Sequence, residues 1–241
     1  MKFNIKSVKN YRLPMSWQHI QKGTMYCSLI NEFFADWFQK VLGDQWLMIG
    51  GLSAELELNL PLRHKIILMP EMTKNPTALF PANQNVTEEI SLIQADPLQL
   101  PFVQQSIHAC VLANTLNFTQ HSHQLLGEIA RVLENDGYLF ISLFNPYSPL
   151  IFKQNLNHKN QTALPFKQYF TWRILDWIKL LNFEILDQVN LSEKKQQDCF
   201  SPLTLIVAQK RTYPFPLYKI KNKIVPYQSF QFMGENTKNA T

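Results

Sequence analysis

The run HACVLA at 108–113 constrains this chain more than any other feature in it. It shows no alternation of polar and apolar residues, so both of its faces must be covered, as in a central strand of a parallel sheet. After it, Leu125, Leu126, Ile129, Val132 and Leu133 recur at helical spacing. The triplet Asn135-Asp136-Gly137 then supplies a turn that feeds a further strand, 138–144. A strand, a helix and a strand in this order set the class as α/β.

The remaining segments extend the same alternation. Ile20, Met25, Leu29, Phe33, Phe34, Trp37, Phe38 and Val41 lie at helical spacing, which predicts an amphipathic helix over 18–42 ending near Gly43. Its aromatic stripe reads as core packing. A first strand is expected at 46–49, running into Gly50-Gly51, with Ser53 capping a short helix over 54–60 that Pro61 stops. Strands follow at 65–69 and 89–95, separated by a loop over 71–88 rich in Asn, Pro and Thr. An irregular stretch spans 145–168. Thr171 is then expected to cap a helix over 172–181 that ends at Asn182, with closing strands at 183–189 and 203–209. The series predicts a mostly parallel sheet with an antiparallel edge strand and helices on both faces.

Composition narrows the class further. With 241 residues, 46% apolar and 17% charged, the chain has the make-up of one globular domain with a sizeable core. There is no uninterrupted apolar run long enough for a membrane span, and the basic amino terminus has no apolar core of a signal peptide. Cys27, Cys110 and Cys199 lie far apart without a CxxC pair, so neither a metal site nor a disulfide framework is expected, and a cytoplasmic location fits. Charge is uneven. Lys2, Lys6, Lys9, Arg12 and Lys22 stand without an acid, and Lys210, Arg211, Lys219, Lys221, Lys223 and Lys238 stand against Glu235 alone. The expected organisation is a basic segment and helix over 1–43, a core domain over 44–211 and a basic flexible tail over 212–241. Basic ends of this kind are either solvated or a contact for RNA or an anionic lipid surface.

In an open α/β sheet, ligands bind outside the carboxyl ends of the strands. Four places qualify. Gly50 and Gly51 follow the first strand, where glycine lets backbone approach a ligand and leaves helix N–H groups for a carboxylate. Glu71 follows the second. Asp96, Pro97 and Leu98 follow the third, with Leu100-Pro101-Phe102 close behind. Ala113, Asn114, Thr115 and Leu116 follow the central strand. His121 and His123 come next and are candidates for a general base near neutral pH.

From Ala95 to Pro146 the chain resembles the second half of a class I, type 11 methyltransferase dependent on S-adenosylmethionine (SAM), through Asp96-Pro97, Leu100-Pro101-Phe102 and Glu128-Ile129-Ala130-Arg131-Val132-Leu133. The resemblance implies a Rossmann-like sheet and SAM as cofactor. It places Asp96 at the adenine amino group, Pro97 and Leu98 beside the adenine, Glu71 at the ribose hydroxyls, and Ala113, Asn114 and Leu116 at the methyl-transfer face. The family's acidic-x-Gly-x-Gly-x-Gly pattern is kept only at Gly50. Met48 stands for the acid, and Leu52 and Ala54 stand for the later glycines. The wording Ile-Gly-x-Leu-Ser-Ala-Glu (49–55) is similar to that of an uncharacterised bacterial branch. Asn145-Pro146-Tyr147 follows the fifth strand and lacks a second proline, so it does not imply methylation of a base or amide nitrogen. The expected function is SAM-dependent methyl transfer to an unassigned acceptor, with a small molecule favoured. Two other readings stand beside it: a non-catalytic member that keeps the fold as a binding or scaffold module, and an RNA-directed methyltransferase using the basic ends.

Overall fold

The computed structural model describes residues 13–58, 64–71, 89–148, 167–192 and 201–211. Helix α1 (Gly23–Phe38) precedes strand β1 (Gln45–Ile49) and the single turn α2 (Gly51–Ala54). Strands β2 (His64–Met69), β3 (Glu89–Gln94) and β4 (Ile107–Ala113) come next, then helix α3 (Ser122–Val132) and strand β5 (Leu133–Phe144). Helix α4 (Thr171–Leu180) and strands β6 (Phe183–Leu191) and β7 (Leu203–Lys210) complete the order.

The seven strands form one sheet in the order β3-β2-β1-β4-β5-β7-β6. β1 to β5 pair in parallel, and β7 runs antiparallel to both β5 and β6. This is the Rossmann-like sheet of class I methyltransferases, with its antiparallel element at one side. Side chains of the central strands alternate between two cores as strand geometry requires. Trp46, Met48, Ala109, Val111 and Phe140 join the layer beneath α1. Leu47, Ile49, Cys110, Leu112 and Ile141 join the layer beneath α3 and α4. The aromatic stripe of α1 enters the first of these. Phe34 and Phe38 meet Phe140 edge-on at 5.3 and 4.8 Å between ring centres, and Trp46 stacks on Phe140 at 5.9 Å.

Four local expectations are corrected. The helix expected over 18–42 starts only at Gly23, because Trp17–His19 forms a separate 3-10 turn and Lys22 adopts a left-handed φ of 60°. Gly43 does not cap it; with φ 145°, it admits the His108 ring, which would stand 2.3 Å from a Cβ. The turn at 135–137 lies inside β5 as a bulge. Ile107 faces Leu133 while Ala109 faces Tyr138, and Asp136 takes φ 62°. Thr171 caps nothing: Phe170 occupies the N-cap without a side-chain bond, and Thr171 Oγ1 lies 3.4 Å from Thr204 Oγ1. Residues 72–88 of the loop expected over 71–88, residues 149–166 of the irregular stretch, and residues 1–12 and 212–241 of the basic ends lie outside the described residues.

Candidate active site at the carboxyl edge of the sheet

The sheet order reverses between β1 and β4, and in open α/β sheets that switch point opens the ligand crevice. Two buried hydroxyls stitch its floor. Ser53 Oγ donates to the Ile49 carbonyl and accepts from the Ala113 amide, both at 2.8 Å. Thr115 Oγ1 donates to the same Ile49 carbonyl at 2.8 Å. Where the strands part, these side chains satisfy backbone groups that a ladder would otherwise pair. Ser53 therefore does not cap a helix over 54–60. It sits inside the four-residue turn α2, whose N-cap is Gly50. So short a turn carries little of the helix dipole that a ligand carboxylate would use.

The two glycines are glycines for different reasons. Gly50 has φ 89° and ψ 162°, a conformation that side-chain-bearing residues rarely adopt. At Gly51, a Cβ would stand 2.1 Å from the Met15 carbonyl oxygen. The close backbone approach expected for a ligand is thus made by the chain's own residues 13–17. Trp17 is buried, its Nε1 donates to the Leu52 carbonyl at 2.9 Å, and its amide donates to Glu55 Oε2 at 3.1 Å. Met48 and Leu52, which replace an acid and a glycine of the family pattern, belong to the same apolar core as Leu13 and Trp17. An acid at 48 would be a buried charge in that core.

At the end of β4, Asn114 is fully buried with a left-handed φ of 53°. Its amide donates to Ser142, and its Oδ1 accepts from Ser142 Oγ at 2.6 Å. Its Nδ2 has no hydrogen-bond partner. Buried polar atoms are nearly always paired, so this open donor, on a left-handed backbone at the switch point, is an exception among the described residues. Ala113 adjoins it, fully buried. Leu116 does not face the crevice as expected: it belongs to the core beneath α3, so only its backbone is near the site.

The loop after β3 is held by the signature helix. Asp96 is exposed, and its Oδ1 accepts from the Leu98 amide at 2.8 Å, turning the chain. Pro97 and Leu98 are buried behind it. Arg131 donates to the Phe102 and Leu100 carbonyls at 2.9 Å each, and Glu128 Oε2 accepts from the Leu100 amide at 3.1 Å. Arg131 and Glu128 also pair at 2.9 Å, and that hydrogen bond holds the Glu128 carboxyl below its ordinary range. The Glu-Ile-x-Arg spacing thus puts both ends of an ion pair on one helix face and fastens the loop from Leu100 to Phe102.

The other expected residues are dispersed. Glu71 is exposed, two residues after β2. His121 is exposed at the N-cap of α3, and His123 packs edge-on against Trp177 of α4 at 5.5 Å, on the outer helix layer. The structure brings neither histidine to Asn114. Cys27 is no ready nucleophile, since burial first, then Glu55 and Glu57, push its thiol up to about 12. A cavity of about 170 Å³ lined by His108, Glu134, Asp136 and Tyr138 lies at the amino ends of β4 and of the paired part of β5, away from the crevice. Sequence reasoning missed the roles of Ser53, Thr115 and residues 13–17. A hydroxyl that bridges two strands has no periodic signature, and the short stretch 13–17 has none either.

Residues 59–141 match the family model described as methyltransferase domain. The chain belongs to that family. The match begins beyond the glycine turn and includes the Asp96 loop and the signature helix. The chain is also 34% identical over 226 residues to the uncharacterised protein YafS of Escherichia coli K12, covering 87% of this chain and 88% of that one. Among solved structures it is similar to the putative methyltransferase in a complex with the Trm112 methyltransferase activator of Haloferax volcanii. That likeness has TM-score 0.59 and 15% identity, over 80% of this chain and 93% of the other. It is similar as well to the [4+2]-cyclase SpnF, with TM-score 0.55 and 12% identity, over 85% and 86% of the chains. At such identities these structures speak for the fold alone.

Proposed function

We propose that this protein is a SAM-dependent methyltransferase acting on a small molecule. The observation that carries the reading is the buried, unpartnered Asn114 amide at the end of β4, across the switch point from Gly50. The residues present suit the cofactor. Asp96 offers a carboxylate acceptor for an exocyclic amino group, with Pro97 and Leu98 forming an apolar wall behind it. Glu71 is the acid for the ribose hydroxyls. Gly50 and Gly51 offer backbone to the methionine end, beneath residues 13–17. Ala113, Asn114 and the Leu116 backbone border the methyl group.

SAM supplies a methyl group already activated by its sulfonium. The protein's task is therefore to align the acceptor and exclude water. No general base is required by this reading, which agrees with the outward placement of His121 and His123. Among the described residues no helix is long and apolar enough to cross a membrane.

A second reading, a non-catalytic binding module, is favoured by one observation: the Met15 backbone already occupies the close approach at Gly51. The two separate under incubation with methyl-labelled SAM and a mixture of small-molecule acceptors. Release of S-adenosylhomocysteine with label in a product supports the enzyme. SAM that stays intact against every acceptor, in folded protein that binds it, supports the binding module. The RNA-directed alternative predicts RNA affinity that falls steeply with salt.

A further inference from the structure

Residues 13–17 divide at Ser16 into an arm and an anchor. Trp17 is the anchor. It is 1% exposed, its indole and its amide are bonded to Leu52 and Glu55, and its carbonyl accepts from the Ile20 amide at 3.0 Å. Ser16 is extended, with φ −151° and ψ 151°, and its Oγ accepts from the Gln18 amide at 3.2 Å. Upstream of it, Leu13, Pro14 and Met15 lie outside any helix or strand, and Leu13 and Met15 pack on the apolar core.

This arm covers the glycine turn. A Cβ at Gly51 would stand 2.1 Å from the Met15 carbonyl oxygen and 2.8 Å from the Met15 Cα. A Cβ at Gly50 would stand 3.1 Å from Leu13 Cδ1 and 3.8 Å from Thr115 Oγ1. Where a methyl group does not fit at Gly51, neither does a ligand atom, so arm and ligand exclude each other on that side of the turn. The same corner holds an unpaired donor. Asn114 precedes Thr115, and its Nδ2 is buried without a partner. Ser142 Oγ lies 2.6 Å from Asn114 Oδ1, an O–H···O length too short for N–H···O, which orients the amide with Nδ2 away from Ser142.

We propose that residues 13–15 are a displaceable strap, hinged at Ser16 and moored by Trp17, that holds the cofactor's place on Gly50 and Gly51 and swings out when the cofactor binds. That the ligand is SAM rests on the methyltransferase reading; the strap itself does not. Withdrawal gives up the apolar burial of Leu13 and Met15, and it opens the corner at Thr115 so that Asn114 Nδ2 finds an oxygen. These terms oppose each other, which suits an element that must move. The measured affinity is then the intrinsic affinity reduced by the fraction of open strap, so a change that loosens the strap tightens binding. A side chain that touched the cofactor would do the reverse when shortened.

The test uses the full chain, S-adenosylhomocysteine as the probe, and Leu13→Ala, which shortens the side chain resting on Gly50 and leaves Trp17 in place. The variant should bind the probe about tenfold more tightly than the parent. Trypsin cleavage after Arg12 requires residues 13–15 in the protease cleft and reads the open strap without ligand. It should be about tenfold faster in Leu13→Ala, and the probe should quicken it in the parent. The Met15 methyl resonance, assigned by its loss in Met15→Leu, should move towards its denatured-chain position in the probe-saturated parent. Equal cleavage of parent and variant, a Met15 resonance that stays in place, or probe affinity unchanged or weakened in Leu13→Ala overturns the strap. Met15→Ala, at a half-buried position, takes the place of Leu13→Ala if that variant does not fold. Faster cleavage of the variant without probe binding by either protein defeats the methyltransferase reading alone. Probe binding with equal cleavage defeats the strap alone.

Discussion

The two banks of the crevice hold their loops by opposite means. On the β1 bank, the glycine turn is pressed by residues 13–17 through apolar burial and a backbone contact at Gly51 that leaves no room for a methyl group. On the β3 bank, the loop from Leu100 to Phe102 is held by a neighbouring helix, where Arg131 donates to its carbonyls and Glu128 accepts from the Leu100 amide. The family match covers the second bank and begins after the first. The positions that depart from the family's glycine pattern, Met48 and Leu52, are ones that share a core with Leu13 and Trp17 of the chain's own amino-terminal stretch. Met48 and Leu52 are the residues such a packing needs, since an acid and a bare glycine there would leave a buried charge and a gap.

This contrast gives graded predictions. Gly51→Ala has the largest expected effect, because the new Cβ meets backbone that cannot rotate away. A loss of about 3 kcal/mol is expected in denaturant unfolding, with protease cleavage appearing at residues 13–17 before the core opens. A variant as stable as the parent would show that those residues are not seated on the turn. Arg131→Ala should cost about 1.5 kcal/mol, its guanidinium being partly solvated, and lower Tm by about 4 °C. Hydrogen exchange should quicken at Leu100 and leave the glycine turn unchanged, so an equal response on both banks would refute their independence.

Asp96→Ala should weaken SAM binding by at least about 1 kcal/mol. Asp96→Asn keeps an acceptor for the Leu98 amide and loses the charge, so a similar loss there assigns the effect to the carboxylate. The smallest effect is acid sensitivity. The folded Glu128 carboxyl lies below its ordinary 4.5 because Arg131 hydrogen-bonds it. A lowered folded value stabilises the protein above the ordinary range, and that contribution fades as pH falls through the folded value. Glu128→Gln should flatten this part of the pH–stability curve. An unchanged slope would place the acid response elsewhere.

Most of the architecture was legible because its signals are periodic. HACVLA declares a central strand, and Leu125 to Leu133 declare a helix. What was not legible depends on contacts distant in sequence. The helix expected from residue 18 is broken because Trp17–His19 closes its own 3-10 turn and Lys22 turns left-handed, which periodicity cannot register. Ser53 looked like a cap because a serine after glycines is one, yet its hydroxyl bridges β1 to β4, 60 residues away in sequence. Leu116 was placed at the crevice by its position after β4, and the 3-10 turn Thr115–Phe118 points it into the core. The Glu128–Arg131 motif was legible, but the loop it holds, Leu100 to Phe102, was not.

The most direct test of SAM dependence is calorimetric titration of the full chain with SAM and, separately, with S-adenosylhomocysteine. Micromolar binding of both is expected, with Asp96→Ala weaker for each. No heat at millimolar ligand, in protein shown to be folded, would contradict it and leave residues 13–17 as the permanent occupant of the glycine turn.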